Sequence, residues 1–160
     1  MDRSGRRPCT ALVLPLLLLL AACSGNEGDG GRAAYLVEAE AVCKRANDAQ
    51  RAATVPVTPA AIPAYVRQVV TIAGEASAGL SALEPPEGDA AELEEKVLAP
   101  LREQVGLGEA YAKEVEETAT KDPSAVLGLL GSAPLETKAD LAFLESYGFT
   151  ECVQAADTSS

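Results

Sequence analysis

The chain has no histidine and no tryptophan, and its aromatic residues are four tyrosines and two phenylalanines. Without histidine it cannot form a Ser-His-Asp or Cys-His catalytic arrangement, a histidine general base or a histidine-containing zinc site. The scarcity of rings leaves little surface on which bases or sugars could stack. Catalysis would have to rely on carboxylates, lysine, tyrosine or serine, and no catalytic constellation of these is recognisable. We therefore predict that the protein is not an enzyme and uses no cofactor.

Basic residues are also few, since 13 lysines and arginines face 24 aspartates and glutamates and give a formal net charge of −11. A surface of this sign repels phosphate groups. We therefore predict no nucleic-acid partner.

Two clusters of acidic residues lie within the helix that we predict over residues 89–119. Such carboxylates could bind a hard cation such as Ca²⁺ or act as an acid–base pair. However, lysines follow several of them at the i,i+4 spacing that is typical of an exposed helix face. We expect solvated surface here and no metal site; the clusters are Glu92, Glu94 and Glu95, and Glu114, Glu116 and Glu117.

The one long hydrophobic run, from Ala11 to Ala22, follows a short segment that carries Arg3, Arg6 and Arg7. This order of a charged and then an apolar region is typical of a secretory signal. The run holds about 12 residues, whereas crossing a bilayer as a helix takes about 20. We predict a signal peptide over residues 1–22 and no permanent transmembrane helix.

The run closes with Leu20-Ala21-Ala22-Cys23, which resembles the lipobox of bacterial lipoproteins. The resemblance implies that the Cys23 thiol receives a diacylglyceryl group and that cleavage makes Cys23 the new N-terminus. The chain would then be anchored on the extracytoplasmic face of the cell membrane, with residues 23–32 as a flexible, glycine-rich tether. The alternative is ordinary cleavage near Ala22, which leaves Cys23 as a free or oxidised thiol.

The predicted location outside the cytoplasm indicates a role for each of the four cysteines. Cys9 lies in the signal and Cys23 is the lipidation residue, which leaves Cys43 and Cys152. Outside the cytoplasm such a pair is expected to form a disulfide, whereas metal ligation by two isolated cysteines is the weaker alternative. We predict a Cys43–Cys152 bridge. It closes a loop of about 110 residues, and in the chain-entropy model a loop of about 100 residues is worth about 4.7 kcal/mol.

Apolar residues recur at helical spacing through the region 33–152, and no segment has strand periodicity. We predict an all-α antiparallel bundle of about four helices plus a short extra helix, followed by a polar tail over residues 153–160. The predicted helices cover residues 33–52, 58–83, 89–119, 122–131 and 132–147.

Three local signals refine these helices. Asp89 followed by Glu92 predicts a capping box at the start of the third helix. Pro100 predicts a kink within that helix. Gly148 fits the left-handed position that ends the last helix, with Phe149 as its hydrophobic contact.

The four tyrosines are candidates for lining a small-ligand pocket between helices, with their hydroxyls as polar groups. The alternative is packing in the core or at its rim, since an alanine-rich bundle packs its helices closely. The candidate pocket residues are Tyr35, Tyr65, Tyr111 and Tyr147.

Most of the region 33–152 resembles a family of small lipoproteins and secreted helical proteins of actinobacteria. The resemblance rests on Cys43 within the first helix, on the stretch Leu80 to Pro86 and on the stretch Tyr147 to Cys152. It implies a secreted or anchored helical domain and carries over no catalytic residue. We expect a membrane-anchored lipoprotein that binds another envelope protein; the alternative is a lipoprotein that binds a small ligand or a cation.

Overall fold

A computed structural model describes residues 27–134 and 139–157 of the protein. Within these ranges the chain is helical and contains no strand, so the predicted all-α fold is confirmed. None of the helices in these ranges is long and apolar enough to cross a membrane. The predicted signal peptide, the lipidation residue Cys23, the first tether residues (24–26) and the last tail residues (158–160) lie outside the described residues.

Three long helical segments and several short ones make up the fold. Short turns connect the helices: a 3₁₀ turn at Pro59–Ala61 precedes the helix that begins at Ile62, and 3₁₀ turns at Pro123–Ala125 and Leu130–Ser132 flank the short helix that begins at Val126. A π turn at Glu94–Leu98 joins the helix that ends at Leu93 to the one that begins at Ala99. The α-helices are α1 (Glu27–Ala52), α2 (Ile62–Ser81), α3 (Ala90–Leu93), α4 (Ala99–Lys121), α5 (Val126–Leu129), α6 (Leu141–Tyr147) and α7 (Glu151–Asp157).

Both ends of the described chain are more helical than the composition predicts. α1 starts at Glu27, so residues 27–32 are helical although their glycines predict a flexible tether. The Arg32 side chain explains part of this difference, because it donates a hydrogen bond to the Tyr147 carbonyl at 3.2 Å and ties the first turns of α1 to α6. At the other end α7 continues to Asp157, beyond the predicted start of the polar tail at residue 153.

The long helix around Pro100 is interrupted by the π turn, in which the Ala99 N–H donates to the Glu94 carbonyl five residues back. Pro100 has no N–H to offer the Lys96 carbonyl four residues before it. The Asp140 N–H donates to that carbonyl instead, at 3.2 Å. The irregularity that Pro100 imposes is therefore the point at which the segment before α6 attaches to the bundle.

One predicted helix start is wrong, and one predicted side-chain cap is not formed. α6 begins at Leu141 and not near Ser132, because the Asp140 carboxylate caps it by accepting from the Phe143 N–H at 2.9 Å. α3 begins at Ala90, directly after Asp89 as predicted, but the Asp89 carboxylate makes no capping hydrogen bond to it. The Asp89 backbone lies in the α-helical region, at φ −95° and ψ −14°, not in the extended conformation typical of a capping residue, and its Oδ2 accepts a hydrogen bond from Tyr147.

Two predicted helix boundaries agree with the structure. The Asp122 carboxylate accepts from the Ser124 N–H at 2.8 Å and starts the turn before α5. Gly148 ends α6 in the left-handed conformation, at φ 108°, and the Phe149 N–H donates to the Leu144 carbonyl.

α2 lies in the middle of the bundle and packs on both α1 and α4. Its contacts with α4 run antiparallel, from the ion pair of Arg67 with Glu116 to the close approach of Val70 to Gly108. A Cβ at Gly108 would lie 3.2 Å from a Val70 methyl, and one at Gly79 would lie 3.0 Å from a Val42 methyl of α1. Small residues therefore set the close spacing of the three long helices.

The buried side chains form two clusters at opposite ends of α2. The smaller one joins the start of α2 to the end of α4 and to α5, through Ile62, Tyr111, Val115 and Val126. The larger one joins α1, the end of α2, the end of α3 with the π turn, and the C-terminal helices, and its members are Tyr35, Ala39, Val42, Cys43, Leu80, Leu93, Val97, Phe143, Leu144, Tyr147, Phe149 and Cys152.

Candidate binding sites

The C-terminal helix α7 is joined to α1 by the disulfide that the sequence predicts. Cys43 and Cys152 are bonded, with their Cα atoms 5.0 Å apart, and both are buried in the larger cluster. One turn further along α1, the Asn47 amide donates to the Glu151 carbonyl at 2.8 Å. The first and last helices of the domain are thus held together covalently and by hydrogen bonds.

Glu40 of α1 also caps α7, although the two lie 110 residues apart in the chain. Its carboxylate accepts from the Thr150 N–H at 2.9 Å, from the Thr150 hydroxyl at 2.6 Å and from the Glu151 N–H at 2.8 Å. Partial burial alone would raise the pKa of Glu40, but these hydrogen bonds, with one from the Cys152 backbone, lower it below the ordinary value of 4.5.

Tyr147 lies at the centre of an aromatic group at the same end of the bundle. Its ring stacks on Phe149 with centroids 5.2 Å apart and meets the Tyr35 ring edge-on at 6.5 Å. Its hydroxyl donates to Asp89 Oδ2 at 2.7 Å. Burial, followed by this hydrogen bond to a carboxylate, raises the pKa of Tyr147 far above its ordinary value. Tyr147 is therefore a hydrogen-bond donor to Asp89 and keeps its phenol protonated.

A cleft of about 420 Å³ opens beside Tyr147, between the start of α3, α6 and the first turns of α1. This volume lies within the range of about 300–1,000 Å³ that is usual for small-molecule sites. Polar and aromatic side chains share its walls, which consist of Arg32, Asp89, Glu92, Lys96, Asp140, Ala142, Phe143, Ser146 and Tyr147.

Both cations of the cleft rest on aromatic rings. The Arg32 guanidinium carbon lies 3.8 Å from the centroid of the Tyr147 ring, and Lys96 Nζ lies 4.7 Å from the centroid of the Phe143 ring. Lys96 also pairs with Glu92 at 2.7 Å, and this hydrogen bond raises the pKa of Lys96. Such contacts between cations and ring faces are favourable by about 0.5–1 kcal/mol at exposed sites.

The four tyrosines do not share one pocket. Tyr147 lines the cleft, and Tyr35 packs against it within the larger cluster. Tyr111 lies in the smaller cluster, where its hydroxyl donates to the Leu129 carbonyl at 3.1 Å, and Tyr65 is half-buried on α2. For Tyr35 and Tyr111 the structure therefore favours the packing interpretation.

Of the other cleft residues, Glu92 belongs to an acidic cluster that the sequence marks, but the sequence gives no sign of Arg32 or Phe143. Arg32 falls in the predicted tether, and Phe143 lies within an apolar stretch that predicts only a helix. The hydrogen bond from Arg32 to Tyr147 spans 115 positions of the chain, and helical periodicity carries no information on contacts at that separation.

The predicted acidic clusters are largely paired with basic side chains. Glu92 contacts Lys96, Glu94 contacts Arg102, and Glu116 contacts Arg67 of α2. Across the described residues no three carboxylates or cysteines lie close enough together to hold a metal ion.

Two segments at the end of the bundle near the smaller cluster carry no charged residue, although Lys121 and Asp122 directly precede one of them. No charge occurs between Arg51 and Arg67, and the segment 123–134 is also uncharged. The two stretches meet in space, because the 3₁₀ turn Pro59–Ala61 contacts the turn Pro123–Ala125. We call the segments 53–62 and 123–134 the uncharged end.

Four large aliphatic side chains of the uncharged end are exposed to solvent. The exposed fractions are 68% for Val55, 95% for Val57, 53% for Leu127 and 45% for Leu130. Solvent exposure of such side chains in a group is typical of an interaction surface.

Comparison with known proteins gives no match, whether with protein families, with curated proteins or with solved structures. The cleft and the uncharged end are the two surfaces from which a function can be inferred.

Proposed function

We propose that the chain is a lipoprotein anchored through Cys23 to the extracytoplasmic face of the cell membrane, and that its helical domain binds another envelope protein through the uncharged end. The order of charged and apolar residues before Cys23 and the resemblance of residues 20–23 to a lipobox support the anchor. The buried Cys43–Cys152 disulfide agrees with an oxidising compartment, where such bonds persist.

The observation that carries the proposal is the exposure of aliphatic side chains on two segments without a charged residue, in a chain whose net charge is −11. The apolar side chains of Val57 and Leu127 form no hydrogen bonds with water, so their exposure brings no stabilisation. Burying a valine or leucine side chain fully is worth about 1.5–3 kcal/mol. A partner that covers the uncharged end would therefore gain hydrophobic stabilisation without having to desolvate a charge.

The position of the uncharged end fits a protein partner better than the membrane. α1 holds 26 residues and is therefore about 39 Å long, and it separates the N-terminal side, where the anchor is attached, from the uncharged end. Segments that insert into a membrane interface combine apolar side chains with a lysine- or arginine-rich face. The uncharged end has no basic residue and exposes valine and leucine.

Site-specific photo-crosslinking in intact cells tests this proposal. A photoreactive residue at Val57 is compared with one at Val37, which is 72% exposed but lies in the first half of α1, away from the uncharged end. We expect one dominant protein adduct from position 57, little from position 37, and loss of the adduct when Cys23→Ser removes the anchor. Adducts of equal yield from both positions, or only lipid adducts from position 57, would contradict the proposal.

The anchor has a separate test. Mass spectrometry of the N-terminal peptide of the mature chain should find Cys23 with a diacylglyceryl group. An unmodified N-terminus at Cys23 would favour ordinary cleavage near Ala22 and remove the anchor from the proposal.

A further inference from the structure

The cleft beside Tyr147 contains three carboxylates, and each uses one oxygen in a described hydrogen bond. Asp89 Oδ2 accepts from Tyr147, Glu92 Oε1 accepts from Lys96, and Asp140 Oδ1 accepts from the Phe143 N–H. Among the described residues the second oxygen of each carboxylate has no hydrogen-bond partner.

The two cations of the cleft are already engaged within the chain. Arg32 lies over the Tyr147 ring and donates to its carbonyl, and Lys96 lies over the Phe143 ring and pairs with Glu92. An anionic ligand would meet three carboxylates and would have to draw these cations away from the contacts they make. A cationic ligand would meet the acceptor oxygens that the described residues leave without a hydrogen bond.

The arrangement distinguishes an organic cation from a metal ion. A metal ion needs several ligand atoms that converge on one point, and no such group of three exists among the described residues. A guanidinium or alkylammonium group instead carries several N–H donors that point in different directions. Such a group suits carboxylates that are spread around a cleft and next to aromatic rings.

We propose that this cleft binds the guanidinium or ammonium group of an organic cation, with Asp89, Glu92 and Asp140 as acceptors. The cation belongs either to a free amine or to a lysine or arginine side chain of a bound protein. The cleft lies at the Arg32 end of α1 and the uncharged end follows Ala52, so cation binding in the cleft does not depend on the proposed protein interface.

Agmatine, which carries one guanidinium and one ammonium group, is a suitable probe. The full-length chain with its disulfide intact is titrated with agmatine at constant ionic strength, and the backbone amide resonances of Phe143, Ser146 and Tyr147 are followed by NMR. We expect saturable shifts at these positions and none with glutarate as an anionic probe. The absence of saturable shifts, or equal binding of glutarate, would overturn the inference.

Matched variants test the role of the carboxylates. Asp140→Asn with Glu92→Gln removes two cleft charges, and asparagine at position 140 still caps α6 because it is as good an N-cap residue as aspartate. Glu109→Gln with Glu114→Gln removes the same charge from exposed positions of α4 outside the cleft. We expect agmatine to bind about tenfold more weakly to the first variant and to be nearly unaffected in the second. Equal affinities in the two variants would overturn the assignment.

A third arm separates the two sources of the cation. If agmatine binds but an acetyl-lysine-amide or acetyl-arginine-amide probe does not, the ligand is a free amine. If the single-residue amides bind at the same resonances, a side chain of a protein fits the cleft, and its crosslinks should be sought from position 146.

Discussion

The cap that Glu40 provides for α7 leads to a prediction that is specific to this structure. The carboxylate accepts three hydrogen bonds from Thr150 and Glu151, so it takes the place that a side chain just before α7 would normally fill. Loss of an N-cap costs about 0.5–2 kcal/mol, and a hydrogen bond to a charged group contributes about 1.5–3 kcal/mol. Water can replace the two contacts to exposed Thr150. We therefore expect Glu40→Ala to lower the free energy of unfolding by about 1–2 kcal/mol.

Urea denaturation with the disulfide intact measures this change, and Glu38→Gln at the neighbouring exposed position is the control. Glu40→Gln keeps one acceptor oxygen but loses the charge, so we expect it to cost about half as much as Glu40→Ala at pH 7.

The pH dependence of the Glu40→Gln difference tests the role of the charge. The hydrogen bonds hold the pKa of folded Glu40 below 4.5, so the carboxylate contributes stability that is fully present above the unfolded pKa. That contribution is lost as the pH falls through the folded pKa. The difference in the free energy of unfolding between wild type and Glu40→Gln should therefore shrink as the pH falls below about 4.5. A difference that stays constant over this range, or no difference at pH 7, would refute the reasoning.

Four further variants test the packing, three of them around α6 and α7 and one in α4. Replacing Cys43 and Cys152 together by serine should lower the free energy of unfolding by about 2–5 kcal/mol in urea denaturation, and neither cysteine should react with an alkylating reagent in the folded, non-reduced wild type. Tyr147→Phe should lower the free energy of unfolding by about 1–3 kcal/mol at pH 7, because it leaves the Asp89 carboxylate without its hydrogen-bond donor. The pKa of Tyr147 is raised above 10 in the folded protein, so above pH 10 the tyrosine ionises only in the unfolded chain and stabilises it. The difference between wild type and Tyr147→Phe should therefore shrink as the pH rises past 10. Gly148→Ala should lower the free energy of unfolding by about 1–2 kcal/mol, because the backbone at this position has a positive φ. Gly106→Ala should raise it by up to about 1 kcal/mol, because the added Cβ meets no neighbour and alanine favours the helix. Thermal unfolding that ranks the two variants in the opposite order would contradict both expectations.

The spacing of apolar residues and the residues that start or end helices predict the helices, because both are local properties of the chain. The apolar stripe of α2 and the Asp122-Pro123 start of the turn before α5 depend on residues a few positions apart. The disulfide was predictable for a different reason, since elimination left only Cys43 and Cys152 to pair.

The details that shape the cleft depend on contacts that no local pattern records. Asp89 has the sequence context of a helix cap, yet Tyr147, which lies 58 positions away, uses its carboxylate. Arg32 lies among glycines that predict coil, but its contact with Tyr147 accompanies an additional turn of helix. In both cases a tertiary contact overrides the local signal.

The central claim is that the uncharged end is the surface that docks on a partner. The most direct measurement is the dissociation constant between the crosslinked partner, once purified, and three forms of this chain: wild type, Val57→Asp and Val37→Asp. Burying an unpaired carboxylate at the interface is costly, so we expect Val57→Asp to weaken binding by at least about tenfold, or about 1.4 kcal/mol. Val37→Asp, at an exposed position outside the uncharged end, should bind like the wild type. Equal affinities for the three forms would contradict the claim.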